Sequence, residues 1–180
     1  MRDSLGRLER TLGQTESIIA EIRPEQAMLP TPCPQWTVRD IVEYIVGADL
    51  RNFTTVVQGE TIDWGAPPEP LGDDWVRQFR AGAHGLLATW GRPDAPAGRA
   101  DQQIAELAVH GWDLTTATGV DLGLDEEIAE HALAWSQGML RPQHRGPDKA
   151  VGREVPVPAD APAYARLAGW FGRDPGWRPA

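Results

Sequence analysis

Glu106, His110 and Asp113 fall at intervals of four and three in the stretch I-A-E-L-A-V-H-G-W-D-L-T, residues 104 to 115. On an α-helix, residues at that spacing stand about one turn above each other and project along one stripe. A carboxylate oxygen and an imidazole nitrogen so placed can share a borderline divalent ion such as Zn, Fe, Ni or Mn. Asp113 is then positioned to orient the His110 ring as a supporting carboxylate. Two ligands do not complete a site, and the same spacing also describes an ordinary surface pair. The apolar face of the helix is Ile104, Leu107, Ala108, Gly111 and Leu114, with Glu106 and His110 beside it.

Other side chains invite the same question. Asp49 stands on the apolar face of an earlier helix, near Val42, Ile45 and Val46, and a buried Asp requires a partner, for which Arg51 or a helix terminus is available. Cys33 in P-C-P-Q-W has no run of His, Lys or Arg beside it to lower a thiol pKa. Trp36, Trp64, Trp75 and Trp112 are candidates for a pocket mouth, and packing is the plainer role for each.

Several helices must position these groups. Apolar spacing predicts a first helix from Ser4 to Ile22, ended by Pro24, and three prolines between Leu29 and Trp36 then force a rigid connector. Thr37 and Asp40 form a capping-box pattern ahead of a second helix to about Gln58. A Pro-rich loop over 65 to 74 leads to a third helix, Trp75 to Trp90, and a fourth runs from about Ala100 to Thr118 and closes on Gly119. Asp125 caps a fifth, to about Leu140, and the Gly/Pro-rich tail carries a β-like V-P-V-P and a short helix, Ala161 to Phe171. Long helices without alternating strands predict an all-α antiparallel bundle over 1–142, with 143–180 as an extension packed on the same domain.

The chain has 180 residues, enough for one domain with its own core. Its 17 basic and 26 acidic residues give a net charge of −9 without a basic stripe, which argues against nucleic acid and anionic membrane surfaces as partners. The charged N-terminus lacks a signal-peptide core and no run is long and apolar enough for a membrane span, so the expectation is a soluble, cytoplasmic protein. A single cysteine fits a reducing compartment.

Three segments in order, T-P-C-P-Q-W-T-V-R-D-I-V-E-Y-I-V-G, E-L-A-V-H-G-W-D-L-T-T-A-T-G and V-P-V-P-A-D-A-P-A-Y-A-R-L-A-G-W-F-G-R-D-P, resemble actinobacterial metal-binding proteins related to the N-terminal domain of mycothiol-dependent maleylpyruvate isomerase. The resemblance spans about Thr31 to Trp177 and implies a DinB-like four-helix bundle. It also implies a divalent metal (Zn, Ni or Fe) held by one His on the second helix and a Glu-x-x-x-His pair that maps onto Glu106 and His110. Mycothiol is the implied cofactor, and thiol-dependent isomerisation or transfer the implied chemistry.

One position departs from the pattern. Tyr44 stands where the second-helix histidine is expected. Either Tyr44 binds as phenolate, or His84 or His131 substitutes, His144 lying in the tail, or Tyr44, Glu106 and His110 remain as a metal-free polar trio. Such a trio is a plausible acid/base set, and a metal-free small-molecule binding protein is the other alternative. The G-R-D-P turn is expected to be structural, with Arg173 pairing locally. The expected partner is a small-molecule substrate or ligand, and a homodimer is left open.

Overall fold

A computed structural model describes residues 2–63, 66–92, 95, 97–146 and 151–179. Trp64, the start of the 65–74 loop and part of the Gly/Pro-rich tail lie outside the described residues.

The protein is all-α. The helices are α1 (Arg2–Glu21), α2 (Val38–Tyr44), a π-helical segment (Ile45–Asp49), α3 (Leu50–Val57), α4 (Trp75–Trp90), α5 (Ala97–Thr118), α6 (Glu126–Met139) and α7 (Ala163–Trp170). The expected second helix is thus one rod interrupted by a π turn, a feature its apolar spacing does not signal. Among the described residues the only β pairing is two isolated bridges, Pro30 with Thr37 and Arg145 with Val151. V-P-V-P accordingly joins no sheet, and the Val155 N–H donates to the Gly169 carbonyl.

α5 is the central element: α1 packs on one side of it and α6 on another, while α2, α3 and α7 also touch it. α4 packs against α1 and α3. These contacts are compatible with a four-helix bundle carrying α6 and α7 as additions. Ile18 of α1, Ile41 and Ile45 of the second rod, Phe79 of α4, Ile104 and Leu107 of α5, and Ile128 of α6 are essentially inaccessible and form one core. Gly111 belongs to this packing, since a Cβ there would lie 3.2 Å from Ile18 Cδ1. The glycine permits the close approach of α1 and α5.

Capping behaves as the sequence predicts. The Thr37 hydroxyl accepts from the Asp40 N–H, and Asp40 Oδ2 accepts from the Thr37 N–H at 2.8 Å. The Val38 N–H donates to the Leu29 carbonyl, so the proline connector is tied to the first turn of α2.

Candidate functional site

The connector, α2 and α5 meet at one place. The Thr31 hydroxyl donates to the Trp36 carbonyl at 2.8 Å and accepts from the Cys33 N–H at 3.2 Å, while Gln35 takes a left-handed φ of 71°. This tight loop presents Trp36 to α5. Its indole stacks on the His110 imidazole, centroids 5.6 Å apart and planes 12° from parallel. Tyr44, the last residue of α2, meets the same imidazole edge-on at 5.4 Å and lies 5.1 Å from Trp36. Tyr44 and His110 are therefore brought together.

His110 is not on the surface, with only 6% of the residue exposed. Its Nδ1 lies 3.1 Å from Asp113 Oδ2. An ionised carboxylate only accepts, so Nδ1 donates in this contact, and the neutral tautomer that fits it has its lone pair on Nε2. That nitrogen is 3.9 Å from Glu106 Oε2, an ion-pair distance and longer than a hydrogen bond. Glu106 keeps 32% of its side chain accessible, yet burial is the main cause lifting its carboxyl above the usual range, opposed by His110 and Arg173. The Glu106 side chain is thus partly accessible while its carboxyl is partly desolvated.

Asp113 is fully buried and clamped by Arg173, whose Nη2 donates to Oδ2 at 3.1 Å and whose Nε donates to Oδ1 at 3.3 Å. Arg173 also donates to the nearby Phe171 carbonyl at 3.0 Å. The expectation of purely local pairing is corrected, because the tail turn supplies a guanidinium to a carboxylate 60 positions earlier. No local pattern around Arg173 could have signalled this.

Asp49 also differs from expectation. Its partner is neither Arg51 nor a helix terminus: Gln103 Nε2 donates to Oδ2 at 3.0 Å, and Trp90 Nε1 donates to Gln103 Oε1 at 3.3 Å. Asp49 Oδ1 has no partner among the described residues. Burial pushes this carboxyl far above the usual range, and the neighbouring Glu106 adds to the shift. Gln103 stands three residues before Glu106, one turn along the same stripe, and that spacing was the available signal for it.

The remaining histidines stay apart. His131 Nε2 pairs with Asp101 at 2.9 Å, His144 Nδ1 accepts from the Arg141 N–H, and His84 is exposed. Trp75 lies under the Arg39 guanidinium at 6.0 Å, and Trp112 is partly buried against the core. Cys33 is near enough to Arg173, Asp113 and Glu106 to feel their charges, but burial dominates and pushes its thiol up to about 11. The Glu106 carboxylate, and burial after it, raises the Tyr44 phenol well above its ordinary value.

These groups do not fit a divalent metal. Glu106 and His110 are two donors, Tyr44 resists becoming phenolate, and no group of three or more His, Cys, Asp or Glu among the described residues is placed to hold an ion.

A helical domain whose α5 carries a Glu-x-x-x-His stripe facing α2 defines a class, and comparison with known proteins supplies the family. Residues 8–115 match the mycothiol maleylpyruvate isomerase N-terminal domain, and the chain belongs to that family. Two uncharacterised proteins of Mycobacterium tuberculosis, from strains CDC 1551 / Oshkosh and ATCC 25618 / H37Rv, are each 32% identical to it over 187 residues, 95% of this chain and 98% of theirs. No solved structure matches it. No helix among the described residues is long and apolar enough to cross a membrane.

Proposed function

We propose that this chain is a family member whose metal site is degenerate, and that it works on a small molecule with a metal-free acid/base set of His110, Tyr44 and Glu106. The observation that carries this reading is the orientation of His110. Asp113, clamped by Arg173, accepts a hydrogen bond from Nδ1–H, so in the neutral ring Nε2 carries the lone pair, on the side of Glu106. A base held by a second group is the geometry general-base chemistry requires.

In this reading Nε2 of His110 accepts a proton from a substrate atom, and the imidazolium formed lies between Asp113 and Glu106. Tyr44 keeps its proton and donates a hydrogen bond to the oxygen on which charge develops. The proton then returns from Nε2 to substrate or solvent. Trp36 closes one face of the imidazole and limits the water that reaches it. Residues 143–180 act as part of the same domain, because Arg173 completes the site.

Mycothiol comes to this reading through the family alone.

The test is metal content of tag-free protein purified without chelator, for wild type and Tyr44→His. The expected result is substoichiometric metal in the wild type and close to one ion per chain in Tyr44→His, lost again in Tyr44→His/His110→Ala. Stoichiometric metal in the wild type that His110→Ala removes would overturn the metal-free reading.

A further inference from the structure

Asp49 is a buried acid that the acid/base reading leaves unused. The residue ends the π segment, is 1% exposed, and has no ion-pair partner among the described residues. Its Oδ2 accepts from Gln103 Nε2 at 3.0 Å, and its Oδ1 is buried without a hydrogen-bond partner among the described residues. One amide donor suits a neutral acid as well as a carboxylate, because the carbonyl oxygen of the acid also accepts it. Oδ1 decides between them. As a carboxylate, Asp49 would bring a full charge into the core with one neutral donor to hold it, whereas the acid brings only a hydroxyl.

The elements packed around Asp49 favour the same form. From α4, Trp90 Nε1 donates to Gln103 Oε1 at 3.3 Å, and an indole can only donate, so the amide turns its N–H side to Asp49. Oδ2 is thereby fixed as an acceptor, and the proton of the acid belongs on Oδ1. From α5, the Glu106 carboxyl one turn beyond Gln103 opposes ionisation of Asp49, which burial already pushes far above the usual range. From α2 comes the phenol of Tyr44, whose own proton is held more tightly by Glu106 and Asp49. Arg51 of α3 turns to Asn52 Oδ1 at 3.4 Å and to Glu69 at 3.8 Å, while His110 and Arg173 are engaged by Asp113.

We propose that the folded chain carries Asp49 as the neutral acid, with its proton on Oδ1, so that docking of the π segment on α5 takes up one proton from solvent. This goes beyond the acid/base reading and does not depend on it. The joint between the second rod and α5 is then sensitive to pH. In the unfolded chain Asp49 ionises at its ordinary value of 3.8, and in the folded chain only well above that. The stabilisation is complete below about pH 4 and is lost as pH rises, by about tenfold in the unfolding constant per unit, until the folded protein also releases the proton.

Asp49→Asn tests this, because it keeps the shape and the acceptor for Gln103 and cannot ionise. Urea unfolding of both proteins across about pH 5 to 8 gives the ratio of their unfolding constants, in which the groups they share cancel. The ratio of wild type to variant is expected to rise about tenfold per unit between about pH 5 and 7. A ratio that stays flat, or that falls as pH rises, overturns the proposal. If Asp49→Asn does not fold, the wild type decides: the Asp49 side-chain carboxyl, followed by NMR on isotope-labelled protein, should keep the shift of a protonated acid at about pH 6, where exposed Asp74 shows that of a carboxylate. A carboxylate shift for Asp49 at that pH overturns the proposal. Neither readout involves metal content or turnover, so failure here and failure of the acid/base reading are separate results.

Discussion

Cys33 shows how far the surroundings of a residue, and not its type, decide its chemistry. Its thiol lies near the Arg173 guanidinium, which favours thiolate, yet burial and the Asp113 and Glu106 carboxylates outweigh that pull and push it up to about 11 from an ordinary 9.0. Alkylation by iodoacetamide at pH 8 should therefore run roughly 100-fold slower in the folded protein than in urea, since each unit of pKa is a tenfold change in thiolate. The folded rate should climb with pH and level off only near 11. A plateau below about pH 9, or equal rates folded and unfolded, would contradict a desolvated setting for this thiol. Tyr44 follows the same logic, because the carboxylate beside it and burial both hold its proton in place. Glu106, His110 and Asp113 were legible in the sequence because one helix fixes their relative positions without reference to the rest of the fold. The clamp on Asp113 was not, because Arg173 reaches it only through the path of the whole tail.

Helix ends were also legible, and the interior of the second rod was not. Thr37 and Asp40 cap α2 because short polar side chains satisfy the first free N–H groups, an effect confined to a few neighbouring residues. The π segment leaves no such mark. One extra residue in a turn shifts the register of the next helical residues, and Ile41 before the change, Ile45 and Ala48 within it and Phe53 after it all stay buried. The segment is supported by a contact from the loop after α3: the Glu69 N–H donates to the Gly47 carbonyl at 3.2 Å. A Cβ at position 47 would fall 2.5 Å from the Glu69 oxygen and 2.8 Å from its nitrogen, both backbone atoms. Gly47→Ala should thus cost about 1–3 kcal/mol in urea unfolding, the range for overpacking a fixed neighbour. Gly13→Ala, at a helical glycine with nothing within 4 Å of the added carbon, should be neutral or slightly stabilising. Equal effects at the two positions would mean that the loop does not hold the rod.

Taken as a whole molecule, the chain closes its last residues over its centre. The Gly152 N–H donates to the Phe171 carbonyl, and a Cβ on Gly172 would meet Gly152 Cα at 2.6 Å, so the two arms of the tail cross almost in contact. That crossing delivers Arg173 to Asp113, with both residues at 3% exposure or less. The family match ends at residue 115, but the mycobacterial relatives align over 95% of the chain, so the similarity extends into the tail that completes the site. Removing one member of a buried ion pair strands the other charge, which is why Arg173→Met should destabilise the protein by about 3–5 kcal/mol. Asp113→Asn alone should also destabilise, by leaving the guanidinium without its counter-charge. The double variant removes both charges together, and its loss should fall short of the sum of the single losses by about 1–3 kcal/mol in a urea-unfolding cycle. Strict additivity would mean that the tail and the bundle are energetically independent. In that case His110 would owe its orientation to α5 alone, and residues 143–180 would have no part in the chemistry.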